Sequence, residues 1–248
     1  MEDFIKKLRK VIFNSKKLVA FTGAGVSSES GIPTYRGTGG LWNKYDPSKY
    51  ASYNYFLEDP SYYWQFFRDV RYPLLKPAKP NAAHYVLVEL EKRGILNQLI
   101  TQNIDGLHQM AGQTNVCELH GNTRQIKCMD CKNKFTMDEI FQQIKKEVPP
   151  HCSCGGLLRP DVVLFGESLP QEALKKAWHA AQTCDTFLVV GSSLLVYPAA
   201  QIPLIAKENN AVLVIINIDE TPLDHKADLV IQKSASGVLS GIIREAKS

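Results

Sequence analysis

Four of the six cysteines stand in two close pairs, Cys128-x-x-Cys131 and Cys152-x-Cys154. Thiolates paired in this way suit a tetrahedral zinc ion. Four of them fill every coordination position, so the predicted site is structural and closed to water. Free thiols or a redox pair are the competing readings, and C-x-C is the less usual spacing. Cys117 and Cys184 lie in apolar contexts and are expected as buried packing residues. Nothing in the sequence suggests export, which argues for reduced thiols and a cytoplasmic location.

A second group of reactive residues clusters after short apolar runs. Gly23-Ala24-Gly25 follows LVAF at 18–21, with Gly31 further on. Glycine lets another backbone or a ligand approach closely, and freed amides at a helix start favour phosphate. The spacing is not G-x-G-x-x-G, and a tight turn without a ligand is the alternative. Gln102, Asn103 and Asp105 follow QLIT at 98–101, Gly191-Ser192-Ser193 follows TFLVV at 186–190, and Asn217 and Asp219 follow VLVII at 212–216. Amide and carboxylate side chains there can recognise a carboxamide or sugar hydroxyls, although Asp105 can equally cap a helix and Asp219 can be a turn residue. His120, in ELHGN, sits at a predicted strand end and is the candidate general base. The other histidines, at 84, 108, 151, 179 and 225, are expected to be structural.

The elements that must hold these groups are legible from periodicity. Short β-branched runs, VVLF at 162–165 among them, alternate with helical patterns at 81–93 (capped by Asn81, ending at Gly94) and 170–182. That alternation predicts an α/β fold with a parallel sheet covered on both faces, and such sheets bind ligands at the carboxyl ends of their strands. The amino terminus reads as an amphipathic helix rather than a signal peptide. The uncharged stretch between Asp185 and Lys207 contains Gly191, Pro198 and Pro203 and reads as strand, turn and helix, not as a membrane span. A formal charge of +4 is mild for 248 residues and is not the signature of a dedicated nucleic-acid binder. Two segments interrupt the rhythm: 38–78, dense in aromatics and proline, and 122–158, which carries the paired cysteines.

Taken together, GAGVSSESGIPTYRG, TQNIDGLH, ELHG, the two cysteine pairs, FGE at 165–167, GSSLLVYPAA and INIDETP resemble, in this order, the sirtuins, NAD-dependent protein-lysine deacylases. The resemblance spans about residues 17–240. It implies a Rossmann-like, doubly wound parallel sheet as a discontinuous NAD-binding domain of residues 1–37, 79–121 and 159–248. A smaller domain is then made of a helical insertion (38–78) and a zinc-binding module (122–158). It implies an NAD site at Gly23, Ala24, Gly25, Ser28, Tyr35, Arg36, Gln102, Asn103, Ile104, Asp105, His120, Gly191, Ser192, Ser193, Asn217 and Ala235. The same resemblance makes His120 the catalytic base, with Asn103 and Asp105 fixing nicotinamide. Val163, Phe165 and Gly166 line the acyl-lysine tunnel, and Cys128, Cys131, Cys152 and Cys154 bind zinc.

The implied reaction moves the acyl group of a protein lysine to ADP-ribose, releasing free lysine, nicotinamide and O-acyl-ADP-ribose. Thr34-Tyr35-Arg36, with Gly40-Leu41-Trp42 following, replaces the commoner Asp-Phe-Arg and resembles the branch that includes removers of acidic acyl groups. That branch often has Tyr-x-x-Arg in the helix before the step that Pro80-Asn81 matches. Arg71 matches the arginine, but Arg68 stands where tyrosine is expected, so acetyl is favoured over succinyl. Other readings are an ADP-ribosyltransferase on the same site and a non-enzymatic, zinc-stabilised module that binds nucleic acid or ADP-ribose. The latter has little support, because aromatic residues are sparse among the basic positions of the cysteine segment. Expected partners are acyl-lysine proteins and NAD, without direct nucleic-acid or membrane binding.

Overall fold

The computed structural model describes residues 2–244. Among these residues there are nine strands: β1 (Leu18–Thr22), β2 (Leu96–Thr101), β3 (Val116–Glu118), β4 (Gly121–Cys128), β5 (Lys134–Thr136), β6 (Leu158–Val162), β7 (Thr186–Val190), β8 (Val212–Asn217) and β9 (Leu229–Gln232). Six of them form a parallel sheet in the order β3-β2-β1-β7-β8-β9. Chain order runs outward from β1 to β3, then crosses back and runs outward from β7 to β9. The reversal between β1 and β7 opens a crevice at their carboxyl ends, where this fold class places ligands.

The continuous apolar strands split by alternate residues. Leu18 and Ala20 face a cluster built from the helices Glu2–Asn14, Ala82–Lys92 and Ala235–Arg244, whereas Val19 and Phe21 face one built from Gln171–Thr183 and Ile202–Glu208. Burial on both faces explains why these strands carry no polar alternation. The uncharged stretch after Asp185 folds as β7, a turn and the helix Ile202–Glu208. No helix among the described residues is long and apolar enough to cross a membrane.

The helix Ala82–Lys92 begins at a capping box. Asn81 accepts the Ala83 N–H, and the His84 ring accepts the Asn81 N–H at 3.2 Å. It ends before Gly94, whose φ of +71° is the left-handed stop such a helix needs.

The run 162–165 does not enter the parallel sheet. β6 pairs antiparallel with β4, and β4 with β5, in a separate three-stranded sheet. A third apolar cluster supplies the burial that redirects it: Leu158, Val162 and Leu164 pack with Phe56, Tyr63, Trp64 and Phe67 of the helical insertion and with Ile126 and Ile140. The Trp64 indole N–H also donates to the Leu158 carbonyl at 3.1 Å. Helical insertion and cysteine segment therefore share one core.

Candidate functional site

The loop after β1 is glycine-rich because another loop of the same chain lies against it. A Cβ on Gly23 would come within 2.7 Å of the Gly191 carbonyl oxygen, and one on Gly25 within 2.8 Å of Gly191 Cα. The Gly25 N–H donates to the Gly191 carbonyl at 2.8 Å. The two strand ends flanking the crevice are thus clamped together, which side chains would prevent.

β2 delivers the polar groups. Asn103 Nδ2 donates to the Gly23 carbonyl (3.1 Å) and to Ser27 Oγ (3.2 Å), and Ser27 Oγ donates to Asp105 (2.8 Å). The other Asp105 oxygen takes the Leu107 N–H at 2.8 Å, so this carboxylate both joins the rim and caps the turn that follows. Burial raises the Asp105 pKa, partly offset by the Leu107 and Ser27 bonds. Ser28, expected at the cofactor, is exposed and returns its hydroxyl to the Gly25 carbonyl, while the adjoining Ser27 is buried in the network. Two neighbouring serines are indistinguishable by type; only the turn geometry separates them.

Gln102 links the sub-sites. Its side-chain amide donates to Ser192 Oγ at 2.7 Å, and its carbonyl oxygen lies 2.9 Å from His120 Nδ1. A carbonyl accepts only, so Nδ1 carries the proton and Nε2 is left with a lone pair. Burial lowers the His120 pKa, opposed by the Gln102 bond. The ring is therefore neutral near pH 7, the state a general base needs. The His120 carbonyl accepts the Val163 N–H at 2.9 Å, bringing the segment of Val163, Phe165 and Gly166 beside it.

The helical insertion supplies an aromatic wall. Tyr35 stacks on Trp42 (centroids 5.1 Å apart), and Trp42 approaches Phe66 and Phe165. One cavity is lined by Ala24, Ser27, Tyr35, Arg71, Asn103 and Asp105. The two arginines diverge. Arg68 is paired with its neighbour Asp69 at the surface. Arg71 is only 6% exposed, and its guanidinium lies over Tyr35, Tyr63 and Phe66. Among the described residues its one hydrogen bond is a long 3.4 Å contact to the Tyr63 hydroxyl, and its Nε has no partner.

The remaining expected positions lie along the same edge or close to it. Ile104 is fixed through its carbonyl, which accepts the Thr123 N–H and hydroxyl. Arg36 and Ser193 are half-buried. Asn217 donates to the Asp219 carbonyl, and Asp219 abuts Gly37. Ala235 is buried at the start of the last helix, beside Ser236, which donates to Asn81.

Away from the crevice, the sulfurs of Cys128, Cys131, Cys152 and Cys154 all lie within 4.8 Å of one another, with cross-pair distances of 3.6 and 3.7 Å. Zinc–sulfur bonds of about 2.3 Å in a tetrahedron place ligand sulfurs roughly 3.8 Å apart, so this donor set fits zinc. Gly156 must be glycine here, because its Cβ would come within 2.6 Å of Cys128 Sγ.

An open parallel sheet with polar strand ends gathered at its reversal defines the nucleotide-binding class of α/β proteins. A family model described as Sir2 family matches residues 23–198. The NAD-dependent protein deacetylase of Sulfurisphaera tokodaii is 48% identical over 243 residues, covering 98% of this chain and 96% of that protein. The NAD-dependent protein deacylase 2 of Archaeoglobus fulgidus is 47% identical, covering 100% and 98%. Among solved structures, a Sir2 enzyme superposes with a TM-score of 0.91 at 46% identity, covering 100% of this chain and 99% of that one. Sir2Tm bound to a propionylated peptide does so with a TM-score of 0.90 at 36% identity, covering 98% of each. The chain belongs to the Sir2 family.

Proposed function

We propose that the protein is an NAD-dependent protein-lysine deacylase, with acetyl-lysine as its main substrate, yielding free lysine, nicotinamide and O-acyl-ADP-ribose. The observation that carries this reading is the His120 ring, held by its Nδ1–H on the carbonyl of Gln102, the residue that precedes the buried Asn103 of the Asn103–Ser27–Asp105 network, which leaves Nε2 as the acceptor. Bound NAD supplies an electrophilic sugar carbon whose leaving group is nicotinamide. Asn103 and Asp105 offer a donor and an acceptor suited to a carboxamide, and the polar ends of β1, β7 and β8 suit the rest of the dinucleotide. His120 Nε2 takes the proton from an attacking ribose hydroxyl. Val163 and Gly166 offer backbone, and Phe165 its exposed ring, to the acylated peptide, and Tyr35 with Trp42 excludes water. Positioning the two reactants in one crevice accounts for much of the expected acceleration. Zinc at the four cysteines is structural, and reduced thiols there suit a cytoplasmic enzyme. The domain division follows the chain segments 1–37, 79–121 and 159–248 for NAD binding, with 38–78 and 122–158 as the smaller domain.

A second reading is favoured by one observation. Arg71 brings a buried cation without a partner carboxylate, among the described residues, to the cavity that Asn103 and Asp105 line. An acyl group ending in a carboxylate, such as succinyl, would satisfy it.

Nicotinamide release measured with and without an acetyl-lysine peptide tests the function. Peptide-dependent release supports deacylation. Release without peptide would indicate ADP-ribosyl transfer or NAD hydrolysis, and no release a binding module.

A further inference from the structure

The tip of the segment, at Phe165 and Gly166, has little packing beyond the approach of Trp42. Phe165 is 42% exposed, and Gly166, at a φ of +93°, would meet nothing within 4 Å if it carried a Cβ. Its shape is held instead by charge. Glu167 accepts both Arg159 Nη groups, at 2.9 and 2.7 Å, and the oxygen nearer Nη2 also accepts the Leu164 N–H at 2.8 Å. The Glu167 N–H returns to the Leu164 carbonyl at 3.0 Å, closing residues 164–167 into a ring. Arg159 reaches further still. It donates to the Val162 carbonyl at 2.8 Å, and its guanidinium lies over Tyr53 and Phe56 of the helical insertion. The insertion meets the same segment through its backbone: the Phe165 N–H donates to the Ala51 carbonyl and the Tyr53 N–H to the Phe165 carbonyl.

Arg159 and Glu167 side chains are 8% and 21% exposed. An ion pair this buried is a weak device for stability, since desolvation offsets much of its attraction, but its forked geometry fixes orientation. We propose that Arg159 and Glu167 are positioning residues for the acylated peptide: their ion pair holds the turn at residues 164–167 against which the substrate docks. The proposal rests on the deacylase reading. NAD is held elsewhere, at the ends of β1, β2, β7 and β8, so the pair acts on one substrate and not the other.

The test uses the full-length zinc-loaded protein. Binding of an acetyl-lysine peptide and of NAD are each measured separately, alongside thermal melting, for wild type, Glu167→Gln and Arg159→Lys. Glutamine keeps shape and the Leu164 acceptor but loses the charge. Lysine keeps the charge but loses the fork. Each variant is expected to weaken peptide binding about tenfold while NAD affinity stays within about twofold. The proposal is overturned if the folded variants bind peptide like wild type. It is equally overturned if peptide and NAD affinity fall together with the melting temperature, or if neither variant folds. Wild type that ignores the acetylated peptide would sink the deacylase reading itself, an outcome distinct from all of these.

Discussion

The buried histidine pair behind the crevice gives the most quantitative expectation. His84 and His108 are almost wholly buried, with ring centroids 4.8 Å apart. His108 Nε2 lies 3.0 Å from the Thr22 hydroxyl, which donates to Thr101, and the Thr101 hydroxyl accepts the Asn103 N–H. Burial alone depresses the His84 pKa to about 4, and burial, then the neighbouring His84, holds His108 well below its ordinary value. The fold therefore favours the neutral rings. The stability they confer is complete above the unfolded pKa of about 6.5 and is lost as pH falls through that value toward the folded one.

For His84 alone the linkage relation gives a loss of about 2 kcal/mol between about pH 7 and about pH 5, approaching roughly 3 kcal/mol in stronger acid. The perturbation is His84→Gln. Glutamine does not titrate, and at this position of the helix it can still accept the Asn81 N–H. Urea melts of wild type and variant at the two pH values give four free energies. Zinc loss and carboxylate protonation affect both proteins alike and cancel in the difference of differences. Wild type is expected to lose about 2 kcal/mol more than the variant on acidification. An equal loss in the two proteins would refute the claim that this ring is held neutral by its burial.

Other expectations concern the site itself. His120→Ala should lower deacylation kcat/KM by about 10²–10⁴. The acid limb of the wild-type profile should fall below the ordinary histidine pKa of about 6.5, because burial lowers that of His120. Cys128→Ser should abolish stoichiometric zinc, measured by atomic emission, and lower the melting temperature; normal melting of metal-free protein would contradict a structural ion. Arg71→Met should reduce turnover of succinylated relative to acetylated peptide by about tenfold or more, the loss of a charge-assisted bond; an unchanged ratio would remove Arg71 from acyl recognition.

Much of this architecture is written locally. β1, β7 and β8 are readable as uninterrupted apolar runs because each is buried on both faces, and the carboxyl-edge residues follow by counting from their ends. The cysteine pairs are readable because gathering four sulfurs into one cluster demands close spacing along the chain. What escapes is decided by contacts distant in sequence. Nothing near 158–165 says that Phe56, Trp64 and Ile126 will cover it, so its apolar run is equally compatible with either sheet. The glycines at 23 and 25 signal a close approach, but not that Gly191 is what approaches. Ser27 and Ser28 differ only in which way a short turn directs them, and the ion pair between Arg159 and Glu167 joins two residues that each look like surface charges.

Arg68 and Arg71 make the same point in energetic terms. Three residues apart, they would share a face of an α-helix. The turn Phe67–Arg71 is instead a π-helix, with the Tyr72 N–H reaching back to the Phe67 carbonyl. The wider turn separates them, sending Arg68 outward to Asp69 and Arg71 inward over three aromatic rings. Rings and one long hydrogen bond stabilise a guanidinium less than a carboxylate does, so the fold keeps this cation buried at a cost. Inserted turns of this kind are frequent at functional sites. Here the turn aims a positive charge into the cavity that Asp105 also lines, at the junction between the insertion and the sheet, which is where the Arg71→Met comparison probes acyl selectivity.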